Sequence, residues 1–318
     1  MKSGIDRVGH DHSRRVLVLV GPTASGKTAL SLLIAAELDA EIISADSRQL
    51  YEFLDIGTAK PSDEERKRVK HHFVNLQPPD REFNAGEFGR RGRAAVEDIL
   101  GRGKVPLVVG GSGLYIQALI DGFFDGVSAE REIREELRRR LRTEGPVELL
   151  NELTRVDPAA AGRMHPGNTR RIVRALEVFR STGIPISELQ KDRLEISFRP
   201  VLAGLNWDRG ALYARVDRRA DRMIEQGLIR EVRDLQAKGY SPDLNALQTP
   251  GYREMFAFLA GKMSFEEAVS LMKRETRRYA KRQLTWFRRD TRIRWFELRD
   301  EDDFPPAASA ISSYFLSA

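Results

Sequence analysis

Cysteine is absent from the 318 residues, and histidine appears five times. Disulfides, thiolate nucleophiles and cysteine-type zinc sites are therefore excluded. The absence of cysteine says little about compartment but fits a reducing cytosol, and a cytoplasmic location is expected. No apolar run approaches the ~20 residues that cross a bilayer, and no membrane association is expected. Residues 1–15 lack the apolar stretch of a signal peptide and are expected to form a loose tail. His10 and His12 lie in that tail, where histidines more often bind nothing. Coiled-coil heptads and internal repeats are also lacking, which leaves a monomer as the default.

Charge is present and unevenly placed. The whole chain carries +6, yet residues 273–294 hold ten Lys or Arg against only Glu275 and Asp290, so the remainder is slightly negative. A basic stretch on a near-neutral body points to an anionic partner such as nucleic acid. Tyr279, Trp286 and Phe287 are interleaved among these cations. That mixture suits stacking on splayed bases as well as contact with phosphates, although a solvated basic helix with its aromatics inward reads the same way.

Apolar, β-branched runs at 16–20, 41–45, 72–76, 105–109 and 200–205 read as strands. Helical periodicity occupies 27–38 and 85–100 between them. The fold expected is α/β: a P-loop NTPase-like parallel sheet with helices on both faces. From 126 to 196 the pattern is helical without a strand, with Glu/Arg pairs at helical spacing in 130–142. This segment is expected to be a helical insertion that splits a core formed by 16–125 and 197–318. After the last strand the pattern is helical at 210–239, 251–260 and 264–288. Ser264 with Glu267 supplies a capping box for the last of these.

Gly21-Pro22-Thr23-Ala24-Ser25-Gly26-Lys27-Thr28 follows the first strand and opens the first helix. It matches the G-x-x-x-x-G-K-[ST] phosphate loop, a nucleotide-binding and ATP-binding signature. Its glycines let backbone N–H groups turn toward a phosphate, and the helix N-terminus adds a favourable dipole. Lys27 adds a point charge, and the Thr28 hydroxyl is a candidate ligand for Mg²⁺. A nucleotide hydrolase usually has an acidic residue after a later strand. Here that strand runs into Gly110-Gly111-Ser112-Gly113 instead. What remains is a small-molecule kinase or an enzyme that holds a diphosphate. Asp46 follows the second strand, and strand C-termini meet at the ligand crevice of such sheets. It is a candidate general base, with a helix-capping role as the plainer alternative. Arg215 and Arg219 share a helix face, so both are placed to reach one anion.

The phosphate loop is followed in order by Ser44-Ala-Asp-Ser-Arg-Gln-Leu-Tyr51, Asp55-Ile-Gly-Thr-Ala-Lys-Pro61 and Gly110-Gly-Ser-Gly-Leu-Tyr115. Arg171-Ile-Val-Arg-Ala-Leu-Glu-Val178, Gly251-Tyr-Arg-Glu254 and Lys281-Arg-Gln-Leu-Thr-Trp286 come later. This series closely resembles the tRNA dimethylallyltransferases, in the form found in bacteria, over nearly all of the chain after the tail. The resemblance implies transfer of a dimethylallyl group from dimethylallyl diphosphate to N6 of the adenosine 3′ to the anticodon, with release of diphosphate. It implies that Gly21 to Thr28 hold the diphosphate with Mg²⁺ and that Asp46 is the base. Ser112 stands where the family usually has Thr, and it keeps the hydroxyl. The implied contacts to the tRNA anticodon stem-loop are Asp46, Ser47, Arg48, Gln49 and Ser112, then Arg170, Arg171, Ile172, Val173 and Arg174. Gln248, Gly251, Tyr252 and Arg253 follow, with Lys281, Arg282, Gln283, Trp286 and Arg288 on the basic stretch. His165-Pro-Gly-Asn168 and Thr249-Pro250 depart from the family pattern and put contacts there in question.

Three other readings share parts of this pattern. An adenylate prenyltransferase would keep the loop and Asp46 but needs neither the insertion nor the basic stretch. A kinase would consume ATP. A non-catalytic RNA-binding protein would leave the phosphate loop without a role.

Overall fold

The computed structural model describes residues 14–122, 131–191 and 195–318. The expected tail, with His10 and His12, lies outside these apart from Arg14 and Arg15. Arg15 already belongs to the first strand, and Arg14 is tied to the carbonyl of Ser197 and to Glu97.

Six strands form one parallel sheet: β1 (Arg15–Val20), β2 (Ala40–Ser44), β3 (His71–His72), β4 (Val105–Gly110), β5 (Arg199–Trp207) and β6 (Arg294–Leu298). Their order is β3-β2-β4-β1-β5-β6. β1 is central because all its residues from Val16 to Val20 are apolar and can be buried on both sides. Leu17, Leu19, Ile42, Leu107, Val109, Ala203 and Leu205 share one face with the helices Lys27–Leu38 and Phe304–Ser317. The alternate residues Val16, Val18, Ile43, Val108 and Leu202 are buried on the opposite face, as the two-residue period requires. The helix Ala85–Gly101 packs on β2 and β4.

Several boundaries differ from those expected. The strand expected at 72–76 is only His71–His72, because Phe73 and Asn75 take left-handed φ of 63° and 51° and turn the chain out of the sheet. The pattern at 210–239 is two helices, Arg209–Glu225 and Leu228–Ala237, parted at Gly227 with φ 101°. Two elements lie beyond the last one expected. β6 is an edge strand that buries little, and the helix Phe304–Ser317 begins with Pro305 and Pro306. Proline suits a first turn, whose N–H groups need no intrahelical partner.

The chain divides into two units, one spanning Asp121–Ile196 and the other the rest. The smaller unit opens a few residues earlier than the periodicity suggests. Its described residues form helices joined by turns, including Arg131–Thr143, Pro146–Val156 and Thr169–Thr182. Its core holds Leu137, Leu149, Leu153, Ile172 and Leu176. The buried Glu177 in this unit is matched by Arg134 and Arg174.

Candidate active site at the C-terminal edge of the sheet

The chain leaves β1 at Val20 and turns through the phosphate loop into the helix Lys27–Leu38. Ala24 at φ 64° and Gly26 at φ 88° are left-handed. A Cβ on Gly26 would lie 2.4 Å from the Phe304 ring, so both conformation and space require glycine there. Three other elements hold the loop from outside. Trp207 Nε1 donates to the Ser25 carbonyl at 3.1 Å, Arg215 Nε to the Ala24 carbonyl at 2.9 Å, and Thr23 N–H to Gln283 Oε1 at 2.8 Å. The Lys27 ammonium donates to the carbonyls of Gly21 and Pro22 at 2.9 and 2.7 Å.

β4 lies between β1 and β2, so the turns after all three strands meet. Ala45 N–H donates to the Val109 carbonyl, and Ser112 N–H returns a bond to the Ala45 carbonyl. A Cβ on Gly110 would sit 2.1 Å from that same carbonyl oxygen, which explains a glycine where many phosphate-loop enzymes carry an acid. The Ser112 hydroxyl accepts from Ser47 N–H at 3.0 Å and so joins the two turns. Asp46 stands between them. Its Oδ1 accepts from Arg48 N–H at 2.8 Å and Gln49 N–H at 3.4 Å, and its Oδ2 has no hydrogen-bond partner among the described residues. Asp46 thus caps the following turn with one oxygen and keeps the other free.

Two cations face this carboxylate and the loop. Burial, with help from Arg219, lowers the Lys27 pKa to about 7, while Asp46 opposes the shift. Burial likewise lowers Arg219, again opposed by Asp46. Arg219, Lys27 and Asp46 therefore act on one another electrostatically. Tyr279 is pushed up to about 12 by burial and by Asp46, which keeps its hydroxyl protonated beside the carboxylate. Arg215 is engaged differently from the expected pairing with Arg219 on one anion. It supports the loop at Ala24, pairs with Glu301 at 2.7 Å and lies over the Trp207 ring at 4.4 Å.

The basic stretch also divides. Lys273 pairs with Asp221, Arg277 with Asp217, Arg278 with Glu275 and Arg292 with Asp290. Lys281, Arg282, Arg288 and Arg289 are exposed and have no acidic partner among the described residues. Arg274 shares Glu275 with Arg278, and Arg294 on β6 lies over Phe296 and Tyr314. The largest uncompensated cluster thus lies at the end of the helix Phe265–Phe287 that packs on the Gly110–Gly113 turn. A Cβ on Gly113 would meet Trp286 at 2.2 Å.

Some side chains expected to touch RNA are turned inward. Gln283 is 7% exposed, and its amide links Thr23 N–H to the Gly111 carbonyl, so it ties the phosphate loop to the β4 turn. Tyr252 is fully buried. Ile172 and Val173 belong to the core of the smaller unit. Gly251 is buried, with φ 102°, and starts the helix Tyr252–Leu259. Gln248, Arg170 and Arg171 are exposed. Arg253 pairs with Glu254, and Arg174 with Glu177. Two residues central to the site's build went unmarked in the sequence: Trp207 beneath the loop, and Glu231, which binds the turn after Leu54.

No group of three or more His, Cys, Asp or Glu suited to a metal occurs among the described residues. Near the loop, the Thr28 hydroxyl is the available donor. A single hydroxyl fits Mg²⁺ that arrives on phosphate oxygens and keeps most of its waters, rather than an ion held by protein alone.

Residues 49–290 match the family model described as IPP transferase. The tRNA dimethylallyltransferase 2 of Geotalea uraniireducens is 49% identical over 285 residues, covering 89% of this chain and 92% of that protein. The tRNA dimethylallyltransferase of Pelotomaculum thermopropionicum is 44% identical, covering 93% and 95%. The crystal structure of the full-length tRNA isopentenylpyrophosphate transferase of Bacillus halodurans has a TM-score of 0.71 at 38% identity, covering 96% and 97%. A eukaryotic dimethylallyltransferase described as acting on tRNA has a TM-score of 0.83 at 31% identity, covering 96% of this chain and 80% of that one.

Proposed function

This chain belongs to the IPP transferase family, and from that membership we propose that it moves a dimethylallyl group from dimethylallyl diphosphate to tRNA. The acceptor is N6 of the adenosine 3′ to the anticodon. The bond formed joins N6 to C1 of the donor, the bond broken joins C1 to the diphosphate oxygen, and the N6 proton goes to Asp46. The observation that carries this reading is a carboxylate with one free oxygen facing a half-buried cation pair at a phosphate loop. Lys27, Arg219 and the loop N–H groups stabilise the departing diphosphate, which is the main catalytic term for a poor amine nucleophile. Asp46 supplies the second by taking the proton. The Thr28 hydroxyl would hold Mg²⁺ arriving with the diphosphate, and the ion would supply positive charge at the leaving group. The target base must leave its stack to reach Asp46.

RNA rather than a free nucleotide is favoured by Lys281, Arg282, Arg288 and Arg289, exposed without acids to neutralise them. Work on tRNA places the proposed reaction in the cytoplasm; among the described residues no helix is long and apolar enough to cross a membrane. We take the monomer as the working unit. Reversing charge at Lys281 and Arg282 together is expected to weaken tRNA binding and to reduce the salt slope of log affinity by about 2. Filter binding over a salt series reads this directly. An unchanged slope would place the helix end away from the RNA.

A further inference from the structure

The segment Asp55–Lys60 is not used by the chemistry above, yet it is the most tightly tied turn near the site. Glu231, on the helix Leu228–Ala237, accepts three consecutive backbone N–H groups. Oε2 takes Asp55 at 3.0 Å and Ile56 at 2.7 Å, and Oε1 takes Gly57 at 3.1 Å. The Tyr252 hydroxyl donates to the same Oε1. Burial and Glu231 raise the pKa of Tyr252 well above its usual value, so it remains a donor. The Tyr252 ring fills the space where a Gly57 Cβ would lie, 2.5 Å from its atoms. Three successive N–H groups converging on one carboxylate fix the orientation of the peptides that follow.

Those peptides face the active site. The Thr58 carbonyl accepts from Arg219 Nη2 at 3.2 Å. Gln49 Nε2 donates to the Ala59 carbonyl at 3.2 Å, with Ala59 at φ 45°. Thr58 Oγ1 closes the turn onto the Leu54 carbonyl at 2.6 Å. Arg219 is half-buried, and an acceptor holds its long side chain in one rotamer. The turn supplies it through the Thr58 carbonyl.

We propose that Glu231, clamped by Tyr252, is a positioning residue: it fixes the Asp55–Lys60 turn so that the Thr58 carbonyl aims Arg219 at the donor diphosphate. This rests on the reading of Arg219 as a diphosphate ligand. It assigns the Asp55-Ile-Gly-Thr-Ala-Lys segment a part in donor binding without contact to the donor.

The test is a double-mutant cycle on the full chain with Glu231→Gln and Arg219→Gln, reading inhibition by inorganic diphosphate with Mg²⁺. Gln keeps the size of Glu but turns an N–H₂ toward backbone donors. Glu231→Gln alone is expected to weaken inhibition by about tenfold, the size found for groups that orient a ligand from behind it. In the Arg219→Gln protein the same change is expected to do almost nothing, because the group it positions is gone. Tyr252→Phe should act in the same direction with a smaller effect, and it serves if Glu231→Gln does not fold. Equal losses from Glu231→Gln with and without Arg219 would mean general damage and overturn the positioning role. If Arg219→Gln itself leaves inhibition unchanged, Arg219 is not a diphosphate ligand, and both that reading and this inference fall.

Discussion

Asp46→Asn is expected to lower single-turnover prenyl transfer by about 10²–10⁴-fold while leaving tRNA and diphosphate affinity near wild type. The separation follows from how the carboxylate is held. Oδ1 is spent on the N–H groups of Arg48 and Gln49, and an asparagine carbonyl accepts the same two bonds. The turn that carries Ser47 to Ser112 should therefore survive. What changes is the other oxygen. It makes no hydrogen bond among the described residues, and in the variant it becomes an N–H₂ that cannot take a proton. A turnover rate within a few-fold of wild type would remove Asp46 as base and leave it the helix-capping role its Oδ1 already performs.

Lys27→Ala is expected to cost about 10²–10³-fold in kcat/KM, the scale of removing one preorganised group from developing charge. The pH dependence of that loss is more diagnostic than its size. Burial and Arg219 bring Lys27 to a pKa of about 7. An anion bound at the loop favours the ammonium, so binding above that pH requires proton uptake. Below about pH 7 the lysine is already charged, and the wild-type advantage over Lys27→Ala is fully present. As pH rises through 7 the advantage shrinks, by up to about tenfold per unit. The comparison cancels ionisation of the diphosphate itself, which is common to both proteins. Competition by inorganic diphosphate at two pH values on either side of neutrality checks the sign. An advantage that is flat or grows with pH would mean that Lys27 enters binding fully protonated.

How much of this was legible in the sequence depended on how local the signal was. β1, the phosphate loop and its helix are one continuous segment whose chemistry is written in consecutive residues. Asp46 and the Gly110–Gly113 turn follow from a rule about where parallel strands end. The basic stretch was legible as charge but not as surface. Asp217 and Asp221, which neutralise Arg277 and Lys273, lie on another helix far earlier in the chain. Only the fold separates the compensated cations from Lys281, Arg282, Arg288 and Arg289. Gln283 shows the same limit. Its place among cations suggested RNA contact, whereas burial against Thr23 and Gly111 makes it a tie between two loops. Glu231 gave no signal, because the three N–H groups it accepts belong to a turn distant in sequence. β6 was missed for a different reason: an edge strand need not alternate cleanly, and Arg294 there lies over Phe296 and Tyr314 rather than in a hydrophobic row.

The most direct measurement is a transfer assay with purified protein, Mg²⁺ and labelled dimethylallyl diphosphate, offered unmodified tRNA or AMP. The expected result is label in tRNA, at the adenosine 3′ to the anticodon, and none in AMP. Label in AMP alone would contradict the account: the chemistry of Asp46 and the phosphate loop would stand, but the acceptor would be a free nucleotide and the unpaired cations of the basic helix would have no RNA to bind.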